Sequence, residues 1–264
     1  MKKAIIYLIE LLAIQLIVGF IVSMVWKLIT KSEDMTTAQI ITSTVAAGVV
    51  TIVLFLVARW AEVSPNWIRT RPWMVLTWSV IAALGALIPS SWLQEQMPEL
   101  PNWMDNEFDM ILSNRWGYLA IGLLVPLSEE IVLRGAVLRS LLEKPLLAGR
   151  SERVNLWTAI TVSALFFALI HMNPAQMPHA FIIGLLLGWM YWRTGSILPG
   201  VAYHWANNSM AYIIYNIYPN PDMKLIDVFK GSQQHVLMAL GFSLLILVPA
   251  IYQLHLWMKR ADER

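Results

Sequence analysis

Cysteine is absent from the 264 residues, which excludes disulfides, thiolate metal sites and a cysteine nucleophile. Charge is scarce: Asp, Glu, Lys and Arg make up 14% of the chain and leave a balance of +2, too small to argue for a nucleic-acid partner. Several catalytic signatures are missing. No His-Glu-x-x-His occurs, so the zincin helix is absent. There is no Gly-x-Ser-Gly, and Ser128 has no histidine partner in its own segment. The six aspartates, Asp34, Asp105, Asp109, Asp222, Asp227 and Asp262, all fall outside the long apolar runs, which leaves no buried aspartate dyad.

What the chain does have is apolar length. Hydrophobic residues make up 58% of it and its mean hydropathy is +0.58, the composition of an all-α, polytopic integral membrane protein. Eight spans can be drawn, roughly 4–28, 38–60, 73–92, 116–142, 154–172, 177–193, 197–217 and 235–258, each close to the length that crosses about 30 Å of hydrocarbon. No extended soluble region is left over, so 1–264 reads as a single domain. Met1-Lys2-Lys3 followed by apolar residues imitates a signal peptide. The apolar run is too long for one and lacks a small-residue cleavage site, so a retained first span is expected. Residues 94–114, with five acidic side chains and two prolines, read as a polar loop holding a short interfacial helix around Trp103 to Leu112. Gly184 and Gly188, four apart, are compatible with close helix packing or with the ordinary glycine content of membrane helices.

Charge sets the expected orientation. With the N-terminus inside, thirteen Lys and Arg residues fall on the inner side, among them Arg69, Arg71, Lys259, Arg260 and Arg264, against five outside. That asymmetry and an even span count place both termini in the cytoplasm. Trp26, Trp60, Trp73, Trp92, Trp116, Trp157, Trp192 and Trp257 fall at span ends and read as interfacial anchors rather than a ligand cage.

Against this background the stretch Ser128-Glu129-Glu130-Ile131-Val132-Leu133-Arg134-Gly135 stands out. A charged residue at the centre of a membrane helix costs about 2.5–3.5 kcal/mol on insertion scales, so these three need partners within the protein, and such a cluster marks a functional site by default. Glu130 and Arg134 are i,i+4 and can form an ion pair. Glu129 points about 100° away and is left for chemistry. Two other spans carry polar groups: the fifth ends at Phe167 and His171, and the seventh holds His204 and Asn208, also i,i+4.

Together these groups suit water-driven amide hydrolysis. A carboxylate in an apolar pocket gains affinity for protons and can act as a general base toward water. An imidazole N–H and an asparagine amide can donate to the developing oxyanion. Glu129 is expected as base, with His171 positioning the water, His204 and Asn208 forming the oxyanion site, and Glu130–Arg134 fixing the helix and the local field. A metal-dependent alternative would use Glu129, His171 and His204 as a His₂-Glu zinc set. A lone intramembrane histidine more often serves helix packing, and a lone Glu–Arg pair is usually structural. Three polar constellations in three spans outweigh both readings. His179, His235 and His255 are expected to be packing or interfacial residues.

Three motifs in order, Glu-Glu-x-x-x-Arg (Glu129, Glu130, Arg134), Phe-x-x-x-His (Phe167, His171) and His-x-x-x-Asn (His204, Asn208), resemble those of the CAAX prenyl protease and bacteriocin-processing family, also called CPBP or Abi, which includes the type II CAAX prenyl endopeptidases. The resemblance covers about 116–217. It implies an eight-helix intramembrane endopeptidase with a cavity open to the cytoplasmic side, acting on a membrane-associated peptide or protein. It leaves open a glutamate-activated water or a zinc centre. Asn208 beside His204 favours the metal-free form. Short loops and a direct Lys-Lys start point to a bacterial cytoplasmic membrane, where a substrate other than a prenylated protein is expected. The rivals are a metallopeptidase of the same fold and a non-enzymatic membrane protein, either an immunity or scaffold factor or a transporter. One tension is built in. His171 lies ~17 residues into its span, about 25 Å, while Glu129 lies only ~10 residues from its inner end, about 15 Å. The two meet only if the fifth helix starts in water, with Ser151 or Asn155 near its cap, or tilts.

Overall fold

The computed structural model describes residues 1–32, 34–61, 73–220 and 223–262, excepting the side chains of 259–262. Arg69, Arg71, Asp222 and Arg264, and the side chains of Lys259, Arg260 and Asp262, therefore lie outside the described residues. Among those described, every regular element is helical. In order these are α1 (Lys2–Thr30), α2 (Thr37–Val57), α3 (Met74–Glu95), α4 (Asp105–Leu112), a continuous helical stretch α5 over 115–142, α6 (Glu152–Leu169), α7 (Met177–Thr194), α8 (Leu198–Ile217), α9 (Leu225–Val228) and α10 (Gln233–Asp262). Each of the eight expected apolar spans coincides with one long helix, and the short helix expected near 103–112 is α4. By length and composition, α1, α2, α3 and the 233–258 part of α10 qualify as membrane-crossing helices.

The helix ends follow from local chemistry. Thr36 caps α2, its side chain accepting from the Gln39 N–H at 3.3 Å. Asn114 does the same at the start of α5, through the Trp116 N–H at 3.0 Å. Pro178 and Pro199 occupy the first turns of α7 and α8, where a missing N–H costs no helical hydrogen bond. Gly195 ends α7 in the left-handed region at φ 63°, a conformation that glycine adopts without a Cβ penalty.

α5 is the central element. Every residue from Ile131 to Leu138 is buried, and α5 as a whole packs against α1, α2, α6, α7 and α8. The outer helices show the opposite pattern: Leu28 and Ile29 of α1, Val57 of α2 and Leu245 of α10 are each at least 70% exposed. Large apolar side chains facing outward around a core that holds the charges is the arrangement a lipid solvent favours.

Close packing depends on glycine where helices touch. A Cβ on Gly184 would stand 2.9 Å from Ala164 Cα, and one on Gly188 would stand 3.0 Å from Ile160 Cγ2. Of the two readings the spacing left open, close packing of α7 on α6 is the one found. Gly85 of α3 likewise lies against the backbone of Leu247 in α10.

The fifth span differs from expectation. Its helix ends at Leu169, not near 172, and His171 sits beyond it in a turn where Met172 has φ 48°. Asn173, fully buried, fastens that turn to the 94–104 loop: its amide donates to Asn102 Oδ1 at 2.7 Å and its carbonyl oxygen accepts from the Trp103 N–H at 3.2 Å. Ser151 is the N-cap, accepting from the Val154 N–H at 3.3 Å.

A methyl added at Gly85 would fall 2.8 Å from Leu247 N, whereas Gly241 has open space around it. Overpacking of this kind typically costs about 1–3 kcal/mol. Thermal unfolding in detergent should therefore show a melting point several degrees lower for Gly85→Ala and none lower for Gly241→Ala.

Candidate active site

The charged residues of α5 lie inside the bundle. Arg134 Nη1 is 3.0 Å from Glu130 Oε1, and both side chains are fully buried. The guanidinium also donates through Nη2 to the Gly184 carbonyl at 3.3 Å and stands 4.7 Å over the Phe167 ring, so charge, hydrogen bond and cation–π contact all hold it. Room for Glu130 comes from α8. A Cβ on Gly200 would come within 2.6 Å of Glu130 Oε2.

His204, one turn further along α8, faces both carboxylates. Its Nδ1 is 3.6 Å from Glu130 Oε1 and its Nε2 is 3.7 Å from Glu129 Oε2. These separations exceed a direct hydrogen bond and suit a bridging water or a reacting group. Apart from the ion-paired Oε1 and Nη1, Glu130 Oε2, Arg134 Nε and His204 Nδ1 are buried with no hydrogen-bond partner among the described residues. Most buried polar atoms are satisfied, and three neighbours that are not call for a functional explanation. Glu129 is the carboxylate that keeps access, its side chain 11% exposed where that of Glu130 is closed.

Asn208 is placed differently from the expected oxyanion donor. Its amide donates to the Ile121 carbonyl at 2.9 Å, and its side-chain oxygen accepts from Asn207 at 3.3 Å. The reason lies in α5. Residues Tyr118–Leu124 form a π-helical turn in which the Val125 N–H bonds the Ala120 carbonyl. The next residue able to reach the Ile121 carbonyl is Pro126, which has no N–H. The orphaned acceptor takes the Asn208 amide instead. Trp205 reinforces the contact, its indole N–H donating to the Leu123 carbonyl at 2.7 Å. These bonds fix the rotation of α8 on α5, and so the position of His204. One amide N–H of Asn208 remains uncommitted by this bond.

His171 reaches the cluster through Phe167. Its Nδ1 lies 2.7 Å from the Phe167 carbonyl, and both imidazoles, His171 and His204, meet the Phe167 ring edge-on at 5.1 and 5.5 Å between centroids. A carbonyl only accepts, so Nδ1 carries a proton, and in the neutral imidazole Nε2 is then the acceptor. No ion pair or hydrogen bond joins His171 to Glu129. The alternative ligand set Glu129, His171 and His204 does not converge either. Among the described residues no group of three or more His, Asp or Glu side chains is placed to hold a metal ion.

Three contributors were not recognised from sequence: Gly200, which admits Glu130, the Gly184 carbonyl, and His179. His179 is half-buried. With Tyr203 it lines a cavity of about 240 Å³ between α3, α7 and α10, whose other walls are mainly Ile182, Ile183, Leu186, Leu247 and Ile251. Proline within α8's first turn and glycine right after it (Pro199-Gly200) was the available signal for the first.

Residues 111–210 match the family model described as type II CAAX prenyl endopeptidase Rce1-like. The match takes in Glu129, Glu130, Arg134, Phe167, His171, His204 and Asn208, and it supports the resemblance that the short motifs carry. It implies a protease in general terms. No curated protein and no solved structure matches the chain.

Breaking a buried ion pair by removing one partner typically costs about 3–5 kcal/mol, far more than replacing both partners. Arg134→Met should therefore lower the melting point sharply, and Glu130→Gln with Arg134→Met should recover much of the loss. A thermal-unfolding double-mutant cycle measures this; additive losses would show that the pair is not coupled.

Proposed function

We propose that this chain, Rce1-like over residues 111–210, is an intramembrane endopeptidase that hydrolyses a peptide bond of a membrane-associated protein or peptide with a glutamate-activated water. The observation that supports it most is His204 held between two carboxylates, one locked to Arg134 and closed, the other still accessible. Four apolar helices able to cross a bilayer put this cluster in a membrane protein. In the full reading all eight long helices cross, with both termini cytoplasmic.

In the proposed mechanism Glu129 takes a proton from water as the oxygen attacks the scissile carbonyl carbon. The C–O bond forms and the carbonyl π pair moves onto oxygen, where an N–H of His204 stabilises it. Collapse of the tetrahedral species breaks the C–N bond, and Glu129 returns its proton to the leaving amine. Glu130, paired with Arg134, faces His204 Nδ1 across 3.6 Å, a gap suited to a bridging water, and the Nε2 N–H is the one turned toward the reacting centre. His171, through its unprotonated Nε2, can accept a hydrogen bond from the water. Asn208 acts mainly by holding α8 in register, with its second amide N–H available to the oxyanion. The 240 Å³ apolar cavity beside Tyr203 is suited to an apolar portion of the substrate.

N-terminal labelling of membranes carrying the wild type or Glu129→Gln tests the reading. New protein termini should depend on Glu129 and fall at least 10²–10³-fold in His204→Ala, the usual loss for one oxyanion donor. Both variants should keep the wild-type melting point within a few degrees. Termini that persist with chelator fit the glutamate form, loss with chelator and return with zinc fits the metal form, and identical termini in wild type and Glu129→Gln would remove the peptidase reading.

A further inference from the structure

A second cavity lies away from the carboxylates. It has a volume of about 820 Å³ and opens at one end of the bundle, where α5 finishes, α6 begins and α7 ends. Lys144, Arg150 and Arg153 stand around it, all exposed and with no carboxylate within ion-pair distance among the described residues. Among the described residues the carboxylates at this end are few. Glu143 is engaged by Lys3 at 3.3 Å and Arg139 at 3.6 Å, which leaves Glu152 as the acidic side chain in the cavity wall.

The other wall is aromatic. Trp157, Trp189 and Trp192 line it, Trp189 stacked parallel on His255 at 6.4 Å between centroids and Trp192 beneath the Arg193 guanidinium at 5.6 Å. The loop bearing the cations is held in place by one side chain. Asn155 accepts from the Leu147 N–H at 2.7 Å, and its amide reaches the carbonyls of Leu147, Arg150 and Ser151 at 3.2–3.3 Å. The cavity therefore offers an ordered set of cations on one side and amphipathic indoles on the other, at the level where apolar helices end. Indoles prefer that level in a bilayer, and basic pockets between helices at that level hold anionic headgroups.

We propose that this cavity binds an acidic phospholipid, its phosphate among Lys144, Arg150 and Arg153 and its upper acyl chain along Trp157 and Trp189. A zwitterionic lipid would bring its own cation into an already cationic rim, and a free inorganic anion would leave the aromatic wall wet. Both features thus select for a headgroup that is anionic and attached to an acyl chain. The site is separate from the carboxylate cluster, and the inference does not depend on peptidase chemistry.

Native mass spectrometry of the full chain released from nanodiscs tests it. From phosphatidylglycerol bilayers the wild type should retain one lipid, and from phosphatidylcholine none. Each basic residue at an anionic surface contributes about a fivefold gain in binding, so K144Q/R150Q/R153Q should bind on the order of a hundredfold more weakly. The charge-keeping K144R/R150K/R153K should retain the lipid. K31Q/K224Q/K230Q, at the far ends of α1 and α10 and near α9, should bind as wild type. Equal retention of phosphatidylcholine, unchanged binding in K144Q/R150Q/R153Q, or displacement of phosphatidylglycerol by millimolar inorganic phosphate would each overturn the proposal, the last assigning the cations to a free anion. Loss of lipid from the charge-keeping variant as well would assign the effect to disruption of the loop, and would also overturn it.

Discussion

The structure turns on enclosing a glutamate–arginine pair wholly within the helix bundle. Glu130 and Arg134 are completely enclosed, and a lone charge in such a setting would cost several kcal/mol even after relaxation. Nearly everything around them reduces that cost. The Gly184 carbonyl and the Phe167 ring solvate the guanidinium, Gly200 gives the carboxylate its space, and α1, α2, α6, α7 and α8 enclose α5 so that the pair never faces lipid. A pair this well enclosed makes a fixed local field. His204 and Glu129 sit at its edge, where the enclosure thins just enough to leave one carboxylate accessible.

Two systems of contacts bring the site's parts together, and they differ in kind. Electrostatics joins α5 to the imidazole of α8, while backbone repair joins the same two helices a turn away, where Asn208 and Trp205 bond carbonyls of the irregular stretch before Glu129. The histidine on the α6–α7 turn arrives by a third route, through an aromatic ring and an asparagine-held loop. The two residues of the His-x-x-x-Asn pattern thus make different contacts: the histidine faces the two carboxylates and the asparagine holds a carbonyl of α5.

Much of this could be read from the chain alone. Eight apolar runs became eight long helices, and the spacing of Glu130 and Arg134 foretold which carboxylate would be closed, because both facts follow from local periodicity. Features that depend on what lies across a helix interface were not legible. Nothing in the neighbourhood of Gly200 says that Glu130 will press against it, and nothing near Phe167 says that an arginine from another helix will lie on its face. The end of α6 was misplaced by a few residues because Pro174 limits a helix without fixing its last turn. The contact made by Asn208 was not legible for a subtler reason: it answers a carbonyl left over by Pro126, and the Ile121 carbonyl is left over only if the helix before the proline is wound wide.

That winding has a consequence for helical-wheel arithmetic. Tyr118–Leu124 and Ile131–Leu138 are both π-helical, and each such turn takes up one residue more than an α-turn does. A wheel drawn at 100° per residue from Trp116 to Leu142 therefore drifts out of phase twice, once on either side of the two glutamates. Only the short Val125–Glu130 segment keeps ordinary phase, so the faces of this helix have to be counted outward from the carboxylates rather than inward from its ends. Closing the wide turn before Pro126 to an α-turn would give the Ile121 carbonyl to the Val125 N–H and take it from Asn208, so the winding of this flank and the seating of α8 are one property of the chain.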